Sequence, residues 1–154
     1  MNMRKIQISE SDLYNIIKRV LLEQEQEKKK EVTFTASLFE KFILSSKSNQ
    51  FIHKLNSEYE KVVVSGNLNL SESPITSLPN NLYVLGDLDL YETPIASLPD
   101  NLHVGGYLDL RGTQITSLPD NLVVKGGIYI YGTPLNDNDE LVKEYMAKGY
   151  KFHR

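Results

Sequence analysis

From Val62 onward the apolar positions recur every twenty residues. Val62–Asn81 reads VVVSGNLNLSESPITSLPNN, Leu82–Asn101 reads LYVLGDLDLYETPIASLPDN, and Leu102–Asn121 reads LHVGGYLDLRGTQITSLPDN. A fourth copy, LVVKGGIYIYGTPLN, starts at Leu122 and breaks off at Asn136. The apolar columns are Val62/Leu82/Leu102/Leu122, Val64/Val84/Val104/Val124, Leu68/Leu88/Leu108/Ile128, Leu70/Leu90/Leu110/Ile130, Ile75/Ile95/Ile115/Leu135 and Leu78/Leu98/Leu118. One copy cannot bury these alone; equivalents stacked on one another make a continuous core. The period-two alternation of Gly-x-Leu-x-Leu predicts a half-buried strand in a parallel sheet. The preceding Val-x-Gly element alternates too, which leaves open whether each copy holds one strand or two. Gly66, Gly86, Gly106 and Gly126 mark a corner that needs either positive φ or close backbone approach. Pro79, Pro99 and Pro119 push the preceding leucines into extended conformations and keep that arc free of helix. Ser73, Thr93, Thr113 and Thr133 recur at the strand's exit, where a hydroxyl can bond the turn's backbone.

The flanks have helical periodicity instead. Ser37–Glu40 is a capping-box pattern leading into Leu38, Phe39, Phe42 and Ile43, and Phe51, Ile52, Leu55 and Tyr59 follow on a second helix. At the far end, Asp137–Asp139 offer N-caps to a helix with Leu141, Val142, Tyr145 and Met146 on one side, stopped at Gly149. Ser9–Asp12 opens a further helix whose stripe is Leu13, Ile16, Ile17, Val20 and Leu21. It runs into EQEQEKKKE at Glu23–Glu31, which has no apolar residue and reads as a charged tether. Four regions result: an amphipathic helix and tether at 1–31, a helical N-cap at 32–61, the repeats at 62–136, and a capping helix with a tail at 137–154. The first helix either folds back onto the cap or serves as a docking peptide.

Charge narrows the functions. Residues 1–61 hold eleven Lys/Arg against nine Asp/Glu, and residues 62–154 hold six against eleven. Acidic repeats are poor phosphate binders, so nucleic acid is not an expected partner. No apolar run has the length of a membrane span and the N-terminus lacks a secretory h-region, so we expect no membrane association and a cytoplasmic protein. The absence of cysteine excludes disulfides, thiolate metal sites and cysteine nucleophiles. His53, His103 and His153 lie far apart in the sequence, and no nucleophile elbow or phosphate loop is present. No cofactor or metal is expected, and the chain reads as non-enzymatic. Asp89 and Asp109 share a column, but a catalytic carboxylate pair also needs a cleft.

The outward strand positions offer more. They read Asn67/Asp87/Tyr107/Gly127, Asn69/Asp89/Asp109/Tyr129 and Ser71/Tyr91/Arg111/Tyr131. Tyr and Arg dominate interface hot spots, although tyrosine is also a good strand former. Asp87, Asp89, Tyr91, Tyr107, Asp109, Arg111, Tyr129 and Tyr131 are therefore the candidate surface for a protein partner.

Two resemblances add to this reading. LDLRGTQITSLPD is similar to the short leucine-rich repeats of bacterial effector proteins, over residues 62–136. It implies an α+β chain whose centre is a short right-handed leucine-rich-repeat or β-solenoid with parallel strands and helical caps, used as a binding scaffold. The family's ladder asparagine is replaced here by Ser or Thr, and the stretch before the strand is longer. The ubiquitin-ligase domain that such effectors often carry, with its catalytic cysteine, has no counterpart. RKIQISESDLYNIIKRVLLEQ resembles N-terminal peptides of tailed-bacteriophage proteins, which target a protein to the capsid before a prohead protease cuts after Leu/Ile-x-Glu. Leu21-Leu22-Glu23 fits that motif, as does Ile8-Ser9-Glu10. This resemblance implies cleavage after Glu23 and a capsid or scaffold partner for the N-terminal helix, in a virion rather than only in host cytoplasm. The oligomeric state is left open.

Overall fold

The twenty-residue period is realised as two strands per copy. A computed structural model describes residues 9–23 and 31–154. The Val/Leu-x-Val segments give β2 (Lys61–Ser65), β4 (Leu82–Val84), β6 (His103–Val104) and β8 (Val123–Val124), and the Leu-x-Leu or Ile-x-Ile segments give β3 (Leu68–Asn69), β5 (Leu88–Asp89), β7 (Leu108–Asp109) and β9 (Ile128–Tyr129). With β1 (Glu31–Thr35) and β10 (Phe152–His153) they form two five-stranded sheets, ordered β1-β2-β4-β6-β8 and β10-β9-β7-β5-β3. Every neighbouring pair is parallel, and equivalent residues are in register: Val64, Val84, Val104 and Val124 in one sheet, Leu68, Leu88, Leu108 and Ile128 in the other. The chain is thus α+β, with helices at both sequence ends of the repeats. Leu88, Leu90, Leu108, Leu110, Ile128 and Ile130 are completely buried between the sheets' inner faces and the Leu-Pro arc.

The corner glycines divide between the two reasons for needing one. Gly66 has φ +88°, whereas a Cβ on Gly86 or Gly106 would collide with the side chain of Asn67 or Asp87. Left-handed backbone also recurs on the arc, at Asn81 and Asn101 (both φ 56°), and at the strand exit, at Glu72 (φ 56°), Glu92 (52°), Gly112 (71°) and Gly132 (73°). There the recurring hydroxyls donate to the carbonyl three residues back: Thr93 to Leu90 at 2.9 Å, Thr113 to Leu110 and Thr133 to Ile130 at 2.7 Å. The threonines are buried, so an unsatisfied hydroxyl would be costly.

At the N-terminal end, β1 was not foreseen. The region read as tether and helical cap holds a strand whose Val32 and Phe34 point inward and which extends the first sheet beyond β2. The strand is only five residues long and abuts a charged run, so its alternation is easily missed. The following helix, α2 (Ala36–Ile43), is capped by Thr35, whose Oγ1 accepts from the Leu38 amide at 3.3 Å, and not by Ser37. Glu40, expected to close a capping box, accepts the Asn69 amide at 3.3 Å and so ties α2 to β3. With α3 (Ser48–Glu58), α2 places Phe39 and Phe51 against Phe34 at ring centroids 5.8 Å apart, and Phe42 against Phe51 at 4.9 Å. The N-terminal helix, α1 (Glu10–Glu23), begins at Ser9, whose Oγ accepts the Asp12 amide at 3.1 Å. It folds back on the cap, burying Ile17 and half-burying Leu13, while Tyr14 and Ile16 stay exposed. The side chains of residues 19–23, with Val20, Leu21 and Glu23 among them, and the tether residues 24–30 lie outside the described residues.

At the other end the chain imitates a further copy of the repeat. After a 3-10 turn at Pro134–Asp137 and the helix α4 (Asp139–Ala147), capped by Asn138, the tail returns as β10 beside β9. Ile128 and Ile130 donate to the carbonyls of Lys151 and His153, as each inner strand does to its successor. The Tyr145 hydroxyl accepts from the Leu118 amide (2.9 Å) and donates to the Leu118 carbonyl (3.0 Å), and the Tyr150 hydroxyl donates to the Leu122 carbonyl (2.7 Å). Two phenols thereby replace backbone that a next copy would supply. Met146, expected inside, is half exposed on the outer side of α4.

Candidate interaction surface

Pleating fixes which side chains leave the sheet β10-β9-β7-β5-β3. With Leu108, Leu110, Ile128 and Ile130 inside, their neighbours point out. Arg111 sits at the centre. Its guanidinium donates to both carboxylate oxygens of Asp109 at 2.5–3.0 Å and lies 5.4 Å from the ring centroids of Tyr91 and Tyr129. Tyr129 stacks on His153 at 4.5 Å, and Tyr107 flanks both, 5.9 Å from Tyr129 and 6.3 Å from His153. The bond to Asp109 raises the pKa of Arg111 above its ordinary value. The Tyr91 hydroxyl donates to Glu92 at 2.6 Å, and that hydrogen bond together with the glutamate's charge raises the Tyr91 pKa.

The candidate residues separate into two groups. Asp87, Asp89 and Asp109 serve the backbone: Asp87 accepts the Tyr107 amide at 2.7 Å, Asp89 the Tyr91 amide at 2.9 Å, and Asp109 the Arg111 amide at 3.0 Å. Asp89 and Asp109 are thus turn-formers, each held by the residue two positions on. Tyr91, Arg111 and Tyr129 form a stack, and Tyr107 and Tyr131 project from it, 48% and 69% exposed. All eight residues lie on one face. An exposed, pre-ordered aromatic–guanidinium surface offers large contact area at low ordering cost.

Two participants escaped the sequence reading. His153 joins the face only because β10 pairs with β9, and a two-residue strand carries no periodicity. Gly127 makes room for it, since a Cβ there would meet the His153 ring. On the Leu-Pro arc, Asn81, Asn101 and Asn121 form a ladder, with Asn101 donating to Asn81 and Asn121 to Asn101, both at 2.8 Å. The column shows in the sequence as identical asparagines, whereas the resemblance to leucine-rich repeats places the ladder at the Ser/Thr column. His103 stacks on Tyr83 at 4.1 Å on the outer face of the other sheet. Among the described residues no group of His, Asp and Glu is arranged to hold a metal ion, and no helix is long and apolar enough to cross a membrane. Compared with known proteins, the chain matches no family model, no curated protein and no solved structure.

Proposed function

We propose that the chain is a short, right-handed, leucine-rich-repeat-like solenoid acting as a non-enzymatic protein-interaction module of bacterial or phage origin, with a protein partner on the outer face of β3, β5, β7, β9 and β10. The observation that carries this is the Tyr91–Arg111–Tyr129 stack between the exposed Tyr107 and Tyr131. A lone structural role for Arg111 would be served by Asp109 alone; two flanking rings and two projecting phenols extend it into a recognition surface. No membrane or nucleic-acid partner and no cofactor belong to the proposal, and the site of action is the cytoplasm. Photo-cross-linking tests it. A photoreactive phenylalanine replacing Tyr131 should capture a discrete partner from cells of the source, and the same group replacing Asp120 on the arc should not. Equal capture from both positions would remove the face from consideration.

A structural virion protein delivered by its N-terminal peptide is the alternative. It is favoured by Ile16, which stays exposed on α1 and leaves apolar surface for a capsid or scaffold partner, and by Glu23 closing that helix. Mass spectrometry of protein from virions should then find a chain starting at Gln24, and an intact N-terminus would dismiss cleavage.

A further inference from the structure

A concave surface lies on the N-terminal cap, apart from the strand face. Between α1 and the α2–α3 pair runs a groove of about 110 Å³ with Leu13, Ile17, Phe42 and Phe51 at its apolar base. Its rim is strongly cationic: Lys18, Lys41, Lys47 and Lys54 against the single carboxylate of Glu10. Among the described side chains, the other charges on these helices are Asp12 on α1, Glu40, which is engaged with the Asn69 amide, and Glu58, which pairs with Lys54 at 3.8 Å. Among the described residues Lys54 is the one rim lysine held in an ion pair, and Lys47 rests 4.5 Å from the Tyr14 ring centroid, at the groove wall.

We propose that this groove binds an acidic peptide segment through one buried apolar or aromatic anchor. Size and charge both point there. The groove's 110 Å³ is below the roughly 150 Å³ of a closed cavity that holds a benzene ring, so it seats at most one side chain and not an extended acyl chain. Four lysines around an apolar slot select a segment whose anchor is flanked by Asp or Glu, since a neutral or basic neighbour would leave them uncompensated. Phe42 and Phe51 offer edges and faces to an aromatic ring, and their place in the phenylalanine cluster keeps the slot open without a ligand.

The test uses the full chain and a fluorescein-labelled nonapeptide with a central Phe flanked by alternating Asp and Glu. Fluorescence anisotropy at low salt should show saturable binding. Affinity should fall at least tenfold when the peptide's Phe is replaced by Ser, when its acids are replaced by Lys, or in the Lys41→Gln, Lys47→Gln, Lys54→Gln triple variant. All three lysines are surface residues, and an unchanged melting temperature of the variant confirms that folding is intact. The Tyr129→Ala, Tyr131→Ala variant should bind the probe as the parent does, which separates this groove from the strand face. No saturable binding, or binding indifferent to the triple variant, overturns the proposal. So does tighter binding of laurate than of the peptide, or self-association by sedimentation that the triple variant abolishes.

Discussion

The Leu-Pro arc and the outer strand face come from the same twenty-residue repetition, yet they use it in opposite ways. Ser-Leu-Pro recurs unchanged at 77–79, 97–99 and 117–119, and the asparagine two positions on recurs with it. A ladder demands this, because Asn101 and Asn121 each donate to the asparagine one copy earlier and an odd middle rung breaks both bonds. On the face, one column runs Ser71, Tyr91, Arg111, Tyr131. Its strands are already held by backbone bonds and inward leucines, so the outward positions are free to differ. The lesson is a division of labour inside one repeat: the arc is stability, and the variable face is where recognition can be placed. Even within the face the split continues, since Asp87, Asp89 and Asp109 are tied to amides while the tyrosines are not.

The largest effect should come from the core that both regions share. Leu110→Ala is expected to cost about 2–5 kcal/mol in urea unfolding, because Leu110 is completely buried between neighbouring copies. A loss below about 1 kcal/mol would mean that the columns do not stack as described. Next, Asn101→Ala removes the middle rung and places a Cβ-bearing residue with no local hydrogen bond at φ 56°, at a cost of about 2 kcal/mol. Asn101→Gly loses the rung but not the backbone freedom, so it should be milder by about 1 kcal/mol. Equal losses would show that the left-handed conformation is not held there. Glu72→Gly should stabilise by about 0.5–1 kcal/mol, since Glu72 occupies with φ 56° the column that glycine fills at 112 and 132. Calorimetry would contradict this if the melting temperature fell.

The smallest effect concerns the tail that completes the face. Arg154 donates to Asp139 at 2.6 Å and, by hydrogen bond and charge, holds that carboxyl below its ordinary pKa. A depressed folded pKa gives a contribution present above the unfolded value, about 3.9, and lost as pH falls through the folded one. The pair is exposed, so the change should be slight and confined to acid. It would appear as a shift of the His153 ring resonances below about pH 4, absent in Asp139→Asn.

The six apolar columns were legible in the sequence because a period-two alternation repeated at fixed spacing leaves little freedom. One strand or two per copy was not legible, since the short Val-x-Gly element fits either, and the structure has two. What escaped was short or non-periodic. β1 and β10 depend on a sheet edge waiting for them, and Tyr145 and Tyr150 supply hydroxyls in place of amides. The Thr35 cap lay two residues from the pattern that suggested Ser37. All eight candidate residues were legible as a face, because pleating alone sorts in from out. Which of them are tied to backbone was not legible, since a carboxylate in an alternating pattern looks the same whether it binds an amide or water.

The division of labour is tested most directly by titrating the cross-linked partner, once purified, against two double variants by calorimetry. Tyr129→Ala with Tyr131→Ala should lose at least 2 kcal/mol of binding free energy, about thirty-fold in affinity, with little change in melting temperature. Asp100→Asn with Asp120→Asn, on the exposed arc, should bind within twofold of the parent. Full affinity in the tyrosine variant together with a loss in the arc variant would contradict the account and move recognition to the side assigned to stability.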